Sequence, residues 1–169
     1  MSGKKKLEQL YTNYDINSQN PKTFWTDNLE QIEIKIINKS RNKLDIPKKG
    51  SLLIIANHPF GIIDGLILCS LVSKVRDDFK IMTHETLQFL PQLSKFILPV
   101  DFNGQTKKSK KLNIQTANSA KEHLTNNGVV IIFPSGGVSI ANSIKSDAID
   151  DEWKLFPANL IHHTTPNIY

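Results

Sequence analysis

The sequence predicts an α/β fold in which a mostly parallel sheet is flanked by helices. Short apolar runs with strand character alternate with segments in which apolar residues recur at helical spacing, and this alternation is typical of a parallel sheet. The chain of 169 residues is long enough for one domain with one core and short for two. Within that single domain we assign residues 1–49 to an N-terminal helical segment and residues 50–169 to the α/β part.

Four apolar runs predict the strands, and the segments between them predict the helices. The run VVIIF at 129–133 has the strongest β-branched and aromatic character. Apolar residues recur at helical spacing in 108–124, and the Asn-Asn-Gly at 126–128 then predicts the end of a helix. The predicted strands are 52–56, 79–82, 96–100 and 129–133, and the predicted helices are 66–75, 87–95 and 108–124.

The two ends of the chain carry weaker patterns. Residues 24–29 are typical of an amphipathic helix, whereas 32–36 alternate like a strand, and we favour a helix. Residues 153–161 predict a short amphipathic helix, after which 164–169 lead towards a further strand. The chain ends as that strand would begin, which indicates either a shortened form of the domain or an unusually short last strand.

Charge and composition narrow the classes of partner. The net charge of +5 favours an anionic partner such as a bilayer, a phosphorylated substrate or nucleic acid. No nucleic-acid-binding motif accompanies the lysines, so nucleic acid is not predicted; each lysine cluster is either a solvated surface or a membrane-facing one. No apolar run has the length of a spanning helix, and the first residues do not resemble a signal peptide. We therefore expect a cytoplasmic protein, and the oligomeric state stays open.

Neither a metal nor a bound cofactor is predicted. The single cysteine, Cys69, excludes an internal disulfide and a cysteine metal cluster, and its apolar surroundings in LILCSLV predict an inert buried thiol. His162 and His163 are adjacent, so their side chains point in different directions, which argues against a metal pair. We expect His123 on a helix surface.

The polar stretch ANHPFGIIDG, residues 56–65, places a histidine and an aspartate between two apolar segments. Around an uninterrupted helix His58 and Asp64 would lie about 120° apart, so they can meet only through a bend. Pro59 and Gly61 suit a tight turn, and open α/β sheets bind ligands at the carboxyl ends of their strands.

A histidine held by a carboxylate is the usual general-base arrangement. The turn contains no Ser or Cys, so the nucleophile would be a hydroxyl or amine of the substrate attacking an acyl carbonyl. The plainer alternative is that His58 ends the strand and that Asp64 is stabilised by the dipole at a helix N-terminus.

A second candidate is IIFPSGGVS, residues 131–139, in which a strong strand runs into Pro-Ser-Gly-Gly. Two glycines after a strand let backbone N–H groups converge on an anion or an oxyanion. The stretch is neither a P-loop nor a Gly-x-Ser-x-Gly elbow, and an ordinary tight turn is the alternative. His84 could line the same rim, although the start of a helix explains it equally well.

Together, NHPFGIIDG and FPSGGVS resemble the lysophospholipid and glycerophosphate acyltransferase superfamily. The first is similar to its His-four-residues-Asp signature with one additional residue, and the second to its Phe-Pro-Glu-Gly-Thr-Arg block. Asn-His-Pro and Asp-Gly are similar to the haemolysin-like branch, which includes the lyso-ornithine lipid acyltransferases. ILPVDFNG, residues 97–104, resembles the middle block, and 153–166 resembles the approach to a fourth block, the Val-Pro-Val strand, which is absent from the sequence.

The resemblance implies a glycerophosphate acyltransferase-like fold and a reaction that moves a fatty acyl group from a thioester to a lysolipid acceptor. The thioester would be carried by coenzyme A or acyl carrier protein, and the enzyme would lie peripherally at the inner face of the membrane. His58 is implied as the general base and Asp64 as the residue that orients it. The residues implied in substrate binding are Asn57, Pro59, Gly61, Asp101, Asn103, Ser135, Gly136 and Gly137.

Two positions depart from the family pattern. Ser135 stands where the family has Glu, and Val138 stands where it has Arg, so the guanidinium expected near an acceptor phosphate is missing. This disfavours lysophosphatidic acid and agrees with acceptors of the lyso-ornithine type, unless a lysine from 107–111 supplies the charge. An inactive, lipid-binding relative of the enzymes is the main alternative; a thioesterase that uses water and a covalent Ser135 nucleophile are two others.

Overall fold

The described part of the chain forms the predicted α/β fold around one sheet of five parallel strands. The computed structural model describes residues 23–37, 39, 45–89, 93–102, 104–141, 143 and 146–169. The strands are β1 (Leu52–Ile55), β2 (Phe79–His84), β3 (Ile97–Val100), β4 (Val129–Ile132) and β5 (Asn167–Ile168). The α-helices in these ranges are α1 (Phe24–Gln31), α2 (Ile62–Ser73), α3 (Lys107–Thr125) and α4 (Phe156–Thr164).

The strand order determines which loops become neighbours. The order is β3-β2-β4-β1-β5, and every neighbouring pair is parallel. All strands therefore end at the same edge, here called the carboxyl edge. Ile55, at the end of β1, is paired with Ile132, at the end of β4. The two predicted site segments, which follow these residues, consequently leave the sheet side by side.

The central strand β4 explains why the sheet is covered on both faces. All four of its residues are buried, as expected for a continuous β-branched run in a parallel sheet. Val129 and Ile131 pack in a cluster with residues of α1 and α2, whereas Val130 and Ile132 pack with residues of α3 and α4. The alternation of side chains along β4 thus produces a helix–sheet–helix sandwich.

Two predicted helices differ from the structure. The helix after the His58 turn begins at Ile62 rather than at residue 66, which places Asp64 in its first turn. Where an α-helix was predicted over 87–95, the described residues form two 3-10 turns, Glu85–Phe89 and Ser94–Phe96. The sequence of that segment includes Pro91, which lacks the N–H that an α-helix needs.

The ends of the chain also refine the predictions. Within the predicted N-terminal helical segment, α1 ends at Gln31, and the chain turns at Glu33, whose φ is 59°; residues 1–22, 38 and 40–44 lie outside the described residues. The last strand, incomplete in the sequence pattern, is formed by Asn167–Ile168, which pairs with the start of β1. A strand of two residues thus follows α4 where the sequence pattern led towards a further strand.

Candidate active site

His58 and Asp64 contact each other at the carboxyl edge of the sheet. Nδ1 of His58 lies 3.1 Å from Oδ2 of Asp64, and both side chains are largely buried. The same carboxylate oxygen accepts a hydrogen bond of 2.8 Å from the backbone N–H of Phe60. Asp64 therefore stabilises the turn and holds one nitrogen of the imidazole at the same time. Both sequence interpretations of Asp64, as partner of His58 and as a carboxylate in the first turn of a helix, describe the structure.

Gly61 provides the bend between the two residues. Its φ of 61° and ψ of −126° are a conformation that L side chains rarely adopt, and it directly precedes the first residue of α2. A β-carbon there would lie 3.4 Å from Cγ2 of Val138. The turn after β1 is therefore packed against the loop that follows β4.

The imidazole of His58 has one bonded nitrogen and one available nitrogen. Its ring stacks on Phe133, with ring centroids 4.0 Å apart and planes 19° from parallel. No described protein group contacts Nε2 as a hydrogen-bond partner, whereas Nδ1 contacts Asp64. The imidazole can thus present Nε2 to a substrate while its orientation is fixed from the opposite side.

The backbone of His58 is held by a segment far along the chain. Its N–H donates to Oδ1 of Asp150 at 3.0 Å, across 92 residues. Its carbonyl accepts the N–H of Ser139 at 2.9 Å. The Ser139 hydroxyl also donates to Oδ1 of Asp150, and Nε1 of Trp153 donates to the other carboxylate oxygen at 3.0 Å. Neither Asp150 nor Trp153 was a candidate from the sequence.

The environment of Asp150 favours its ionised form. Partial burial raises the pKa of this carboxyl, but the hydrogen bonds from the Ser139 hydroxyl, the His58 N–H and the Trp153 indole together bring the pKa below its usual range. A carboxylate that accepts several N–H and O–H bonds is a rigid anchor, because each bond is charge-assisted.

The loop after β4 closes on itself. The Ser135 hydroxyl donates to the carbonyl of Gly137 at 2.9 Å, and the N–H of Gly136 donates to the carbonyl of Phe133 at 3.0 Å. The Gly136 N–H is thus occupied within the turn. Gly137 is exposed, and no described residue accepts a hydrogen bond from its N–H. Gly137 is therefore the better of the two predicted glycines for binding an anion.

A cavity of about 810 Å³ opens at these loops. His58, Ser135, Gly136 and Gly137 line it together with Gly61. Most of its remaining wall is apolar and comes from both layers of helices, from β2 and from the segment before β3; examples are Trp25, Leu66, Ile81, Leu93, Ala117 and Phe156. Such a cavity can accommodate an extended apolar group with one reactive end beside the imidazole.

Other predicted binding residues lie beside the cavity rather than in its wall. Asn57 is exposed and Pro59 belongs to the turn, and neither lines the cavity. The carboxylate of Asp101 accepts the Ser109 hydroxyl at 2.5 Å, and its backbone bonds to Asn113, so Asp101 fastens the loop after β3 to α3. Asn103 lies outside the described residues.

Lys154 and His84 add polar groups to the cavity wall. His84 ends β2, and its Nδ1 contacts the Thr86 hydroxyl at 3.1 Å. The backbone N–H of Lys154 donates to the carbonyl of Pro134, which connects the segment before α4 to the glycine loop. Lys154 was not predicted from the sequence because it lies outside both motifs.

The remaining histidines and the cysteine lie away from this arrangement. His123, on α3, is half-buried with Nε2 2.8 Å from the carbonyl of Asp78, and burial lowers the pKa of its imidazole. Cys69 is fully buried in α2, and burial raises the pKa of its thiol far above the usual range. The described residues contain no group of three or more His, Cys, Asp or Glu that could hold a metal ion. None of the described helices has both the length and the apolarity to cross a bilayer.

Comparison with known proteins identifies one family. The sequence matches a family model described as Acyltransferase over residues 38–149, which is most of the chain. The matched region contains both the His58 turn and the glycine loop, and it ends directly before Asp150. No curated protein matches the sequence.

Proposed function

The chain belongs to this acyltransferase family, and on that premise we propose that it transfers a fatty acyl group from a thioester to a lysolipid with His58 as general base. The contact between His58 Nδ1 and Asp64 at the wall of a mostly apolar cavity carries the proposal. The donor is acyl-coenzyme A or an acylated carrier protein, and no bound cofactor is required.

The chemistry follows from the two imidazole nitrogens. Asp64 holds Nδ1 in its protonated tautomer, so Nε2 is the basic atom. Nε2 removes the proton of the acceptor hydroxyl as the hydroxyl oxygen attacks the thioester carbonyl. The tetrahedral intermediate then collapses, the thiolate leaves, and the imidazolium returns the proton to sulfur.

The apolar wall and the glycine loop suit the other parts of the reactants. The alkyl chain of the acyl group occupies the apolar part of the cavity, where its burial contributes about 0.8 kcal/mol per CH₂. The N–H of Gly137 is available to stabilise the oxyanion, because no described group occupies it. We propose no nucleophilic role for Ser135, whose hydroxyl donates to the Gly137 carbonyl within the loop; full transfer by Ser135→Ala would support this.

The acceptor is a lysolipid whose binding does not depend on an arginine that holds a phosphate group. Val138, half-exposed beside Gly61, offers no charge where the family has Arg. Lys154 and Asp151 both line the cavity and provide one charge of each sign. This pair favours a zwitterionic head group, such as that of a lyso-ornithine lipid in the haemolysin-like branch, over lysophosphatidic acid.

Replacement of His58 tests the proposal directly. His58→Ala removes the base, and we expect transfer to fall by about 10²-fold or more. The measurement is transfer of labelled acyl groups from coenzyme A and carrier-protein donors to a panel of lysolipids. His162→Ala, at an exposed histidine outside the cavity, is the matched control and should leave transfer unchanged.

The same assay separates the alternatives. Undiminished transfer by His58→Ala would refute the general-base role. Binding of lysolipid without transfer by the wild-type protein would identify an inactive lipid-binding relative. Release of free fatty acid without an acylated product would identify a thioesterase.

A further inference from the structure

The backbone of His58 is fixed by a closed set of hydrogen bonds that includes Asp150, a residue outside both family-like motifs. Asp150 accepts the His58 N–H and the Ser139 hydroxyl, and the Ser139 N–H returns to the His58 carbonyl. Three residues from two segments thus bond to one another in a ring. Both the backbone N–H and the backbone carbonyl of His58 take part in it.

The segment that carries Asp150 is itself fastened in place. Ile140 and Ile149 form an antiparallel bridge with two backbone hydrogen bonds, at 3.0 and 3.1 Å. This bridge brings Asp150 back beside Ser139, eleven residues earlier. Trp153 adds a third donor to the same carboxylate. The carboxylate therefore has an orientation fixed by partners other than His58.

Asp64 and Asp150 act on different parts of the histidine. Asp64 contacts the ring and determines which nitrogen faces the substrate. Asp150 contacts the main chain and determines the position of the backbone that carries the ring. A general base must lie within hydrogen-bond reach of its proton, so a displacement of about 1 Å can reduce the rate by about 10²-fold.

We propose that Asp150 is a positioning residue for the transfer reaction, holding the main chain of His58 in the catalytically competent place. Its role is that of a hydrogen-bond acceptor rather than of a charge that acts on the substrate. The inference rests on the proposed function, since it assigns His58 as the base, but the contact itself can be tested without substrate.

The first experiment measures the contact alone. Amide hydrogen exchange at His58 should become at least about tenfold faster in Asp150→Ala, because its N–H loses its acceptor. Asp147→Ala is the matched control, an exposed aspartate of the same segment without a described contact to His58. Equal exchange in the two variants would overturn the proposal, whatever reaction the protein catalyses.

The second experiment measures kcat and KM separately for the acyl donor. Asp150→Ala should lower kcat by about 10- to 100-fold and leave KM for the donor within about twofold, because the apolar cavity is unchanged. Asp150→Asn should restore much of kcat, since its amide oxygen can accept the His58 N–H. A rise in KM with unchanged kcat would contradict a positioning role.

Two milder variants keep the result interpretable if Asp150→Ala folds poorly. Ser139→Ala and Trp153→Phe each remove one donor to Asp150 and leave the bond from His58 in place. Both should lower kcat by less than Asp150→Ala, with circular dichroism and thermal unfolding as checks on folding. If either of them matches Asp150→Ala in a folded protein, the loss stems from the segment as a whole and the specific role of Asp150 is refuted.

The wild-type and His58→Ala proteins are assayed alongside. Transfer that needs His58 but not Asp150 overturns this inference alone. Transfer that needs neither overturns the proposed function, while the exchange measurement still decides whether Asp150 holds the His58 backbone.

Discussion

At the scale of single residues, Gly61 is the conformationally constrained position of the turn between His58 and Asp64. Its backbone conformation is open to glycine and strained for other residues, and a β-carbon would also touch Val138. We expect Gly61→Ala to lower the free energy of unfolding by about 1–3 kcal/mol. Transfer should also fall, because the strained turn separates His58 from Asp64. Chemical denaturation and the transfer assay measure the two effects.

Gly137→Ala is the control for the stability part of this prediction. Gly137 has no positive φ, and a β-carbon there would meet open space. Its free energy of unfolding should stay within about 0.5 kcal/mol of that of the wild type. An equal loss in both variants would show that the conformation of Gly61 is not the cause.

The pairing of His58 with Asp64 was accessible from the sequence, whereas the anchoring of His58 by Asp150 was not. Six residues separate the first pair, and Pro59 and Gly61 mark the intervening turn, so local geometry allowed the contact and the family resemblance favoured it. Asp150 lies 92 residues from His58, and their contact depends on the register of β1 with β4 and on the bridge between Ile140 and Ile149. No local pattern encodes such a contact.

At the scale of elements, Arg76 connects the turns at the edge of the sheet opposite the site. Its buried guanidinium donates to the carbonyls of Pro47, Gly50 and Asn127, which precede β1 and β4. It also forms a bidentate pair with Asp78, with bonds of 2.8 and 2.6 Å. One side chain thus holds together the starts of three strands, because Asp78 directly precedes β2.

Arg76→Lys should be strongly destabilising although it keeps the charge. The three N–H groups of an ammonium cannot bond to the carboxylate and to all three carbonyls in this planar arrangement, and the Lys charge would be left buried with fewer partners. We expect a loss of about 3 kcal/mol in the free energy of unfolding, measured by chemical denaturation. Lys74→Arg, on an exposed residue two positions earlier, is the control and should change little. A small effect of Arg76→Lys would show that water replaces the missing donors.

The same pair predicts a dependence of stability on pH. The hydrogen bond from Arg76 lowers the pKa of the Asp78 carboxyl in the folded protein. A lowered folded pKa means that the stabilisation is present above the unfolded value of about 4 and is lost as pH falls through the folded value. Between pH 5 and about pH 2, the free energy of unfolding of Asp78→Asn should therefore decline less than that of the wild type. An unchanged decline would assign the acid sensitivity to other carboxyls.

The elements differed in how far the sequence predicted them, and the reason is burial. β4 was evident from the sequence because a strand covered on both faces must be apolar throughout, and every residue of the run VVIIF is apolar. Residues 87–95 have apolar residues at helical spacing, yet the described parts of this segment are two 3-10 turns, of which Glu85–Phe89 packs beside β3 and Ser94–Phe96 beside β2, so tertiary contacts outweigh the local pattern there. The length of β5 was not predictable, since its two residues are exposed and paired only by register.

At the scale of the whole molecule, the parallel topology places the segments that the sequence predicted to form the site at one edge of the sheet. The His58 turn, the glycine loop and the start of α3 all follow strand carboxyl ends, while the connections through Arg76 lie at the opposite edge. The candidate site and the Arg76 connections therefore lie at opposite ends of the strands. Apart from Gly61, substitutions at the carboxyl edge should affect transfer more than folding, and those at the opposite edge should do the reverse.

Exposed lysines lie at both of these edges in the described part of the chain, which allows a test of membrane docking. Four exposed lysines, at 107, 108, 110 and 111, crowd the first turns of α3 at the carboxyl edge. Cations are disfavoured at a helix N-terminus by the helix dipole, so their presence there is not explained by the stability of α3. We infer that they face an anionic surface, which would bring the cavity to lipid substrates.

Replacing these four lysines by glutamine should weaken binding to vesicles that contain anionic lipid by about 100-fold or more, because each lysine near such a surface contributes about 1 kcal/mol. Glutamine at Lys48, Lys49, Lys74 and Lys121, which are exposed towards the opposite edge, makes the same change in net charge and is the matched control. Vesicle sedimentation at several salt concentrations measures both variants, since binding that depends on exposed charge weakens with ionic strength. If the two sets of substitutions weaken binding equally, net charge rather than the carboxyl edge attracts the bilayer; a selective loss in the first set orients the cavity towards the membrane.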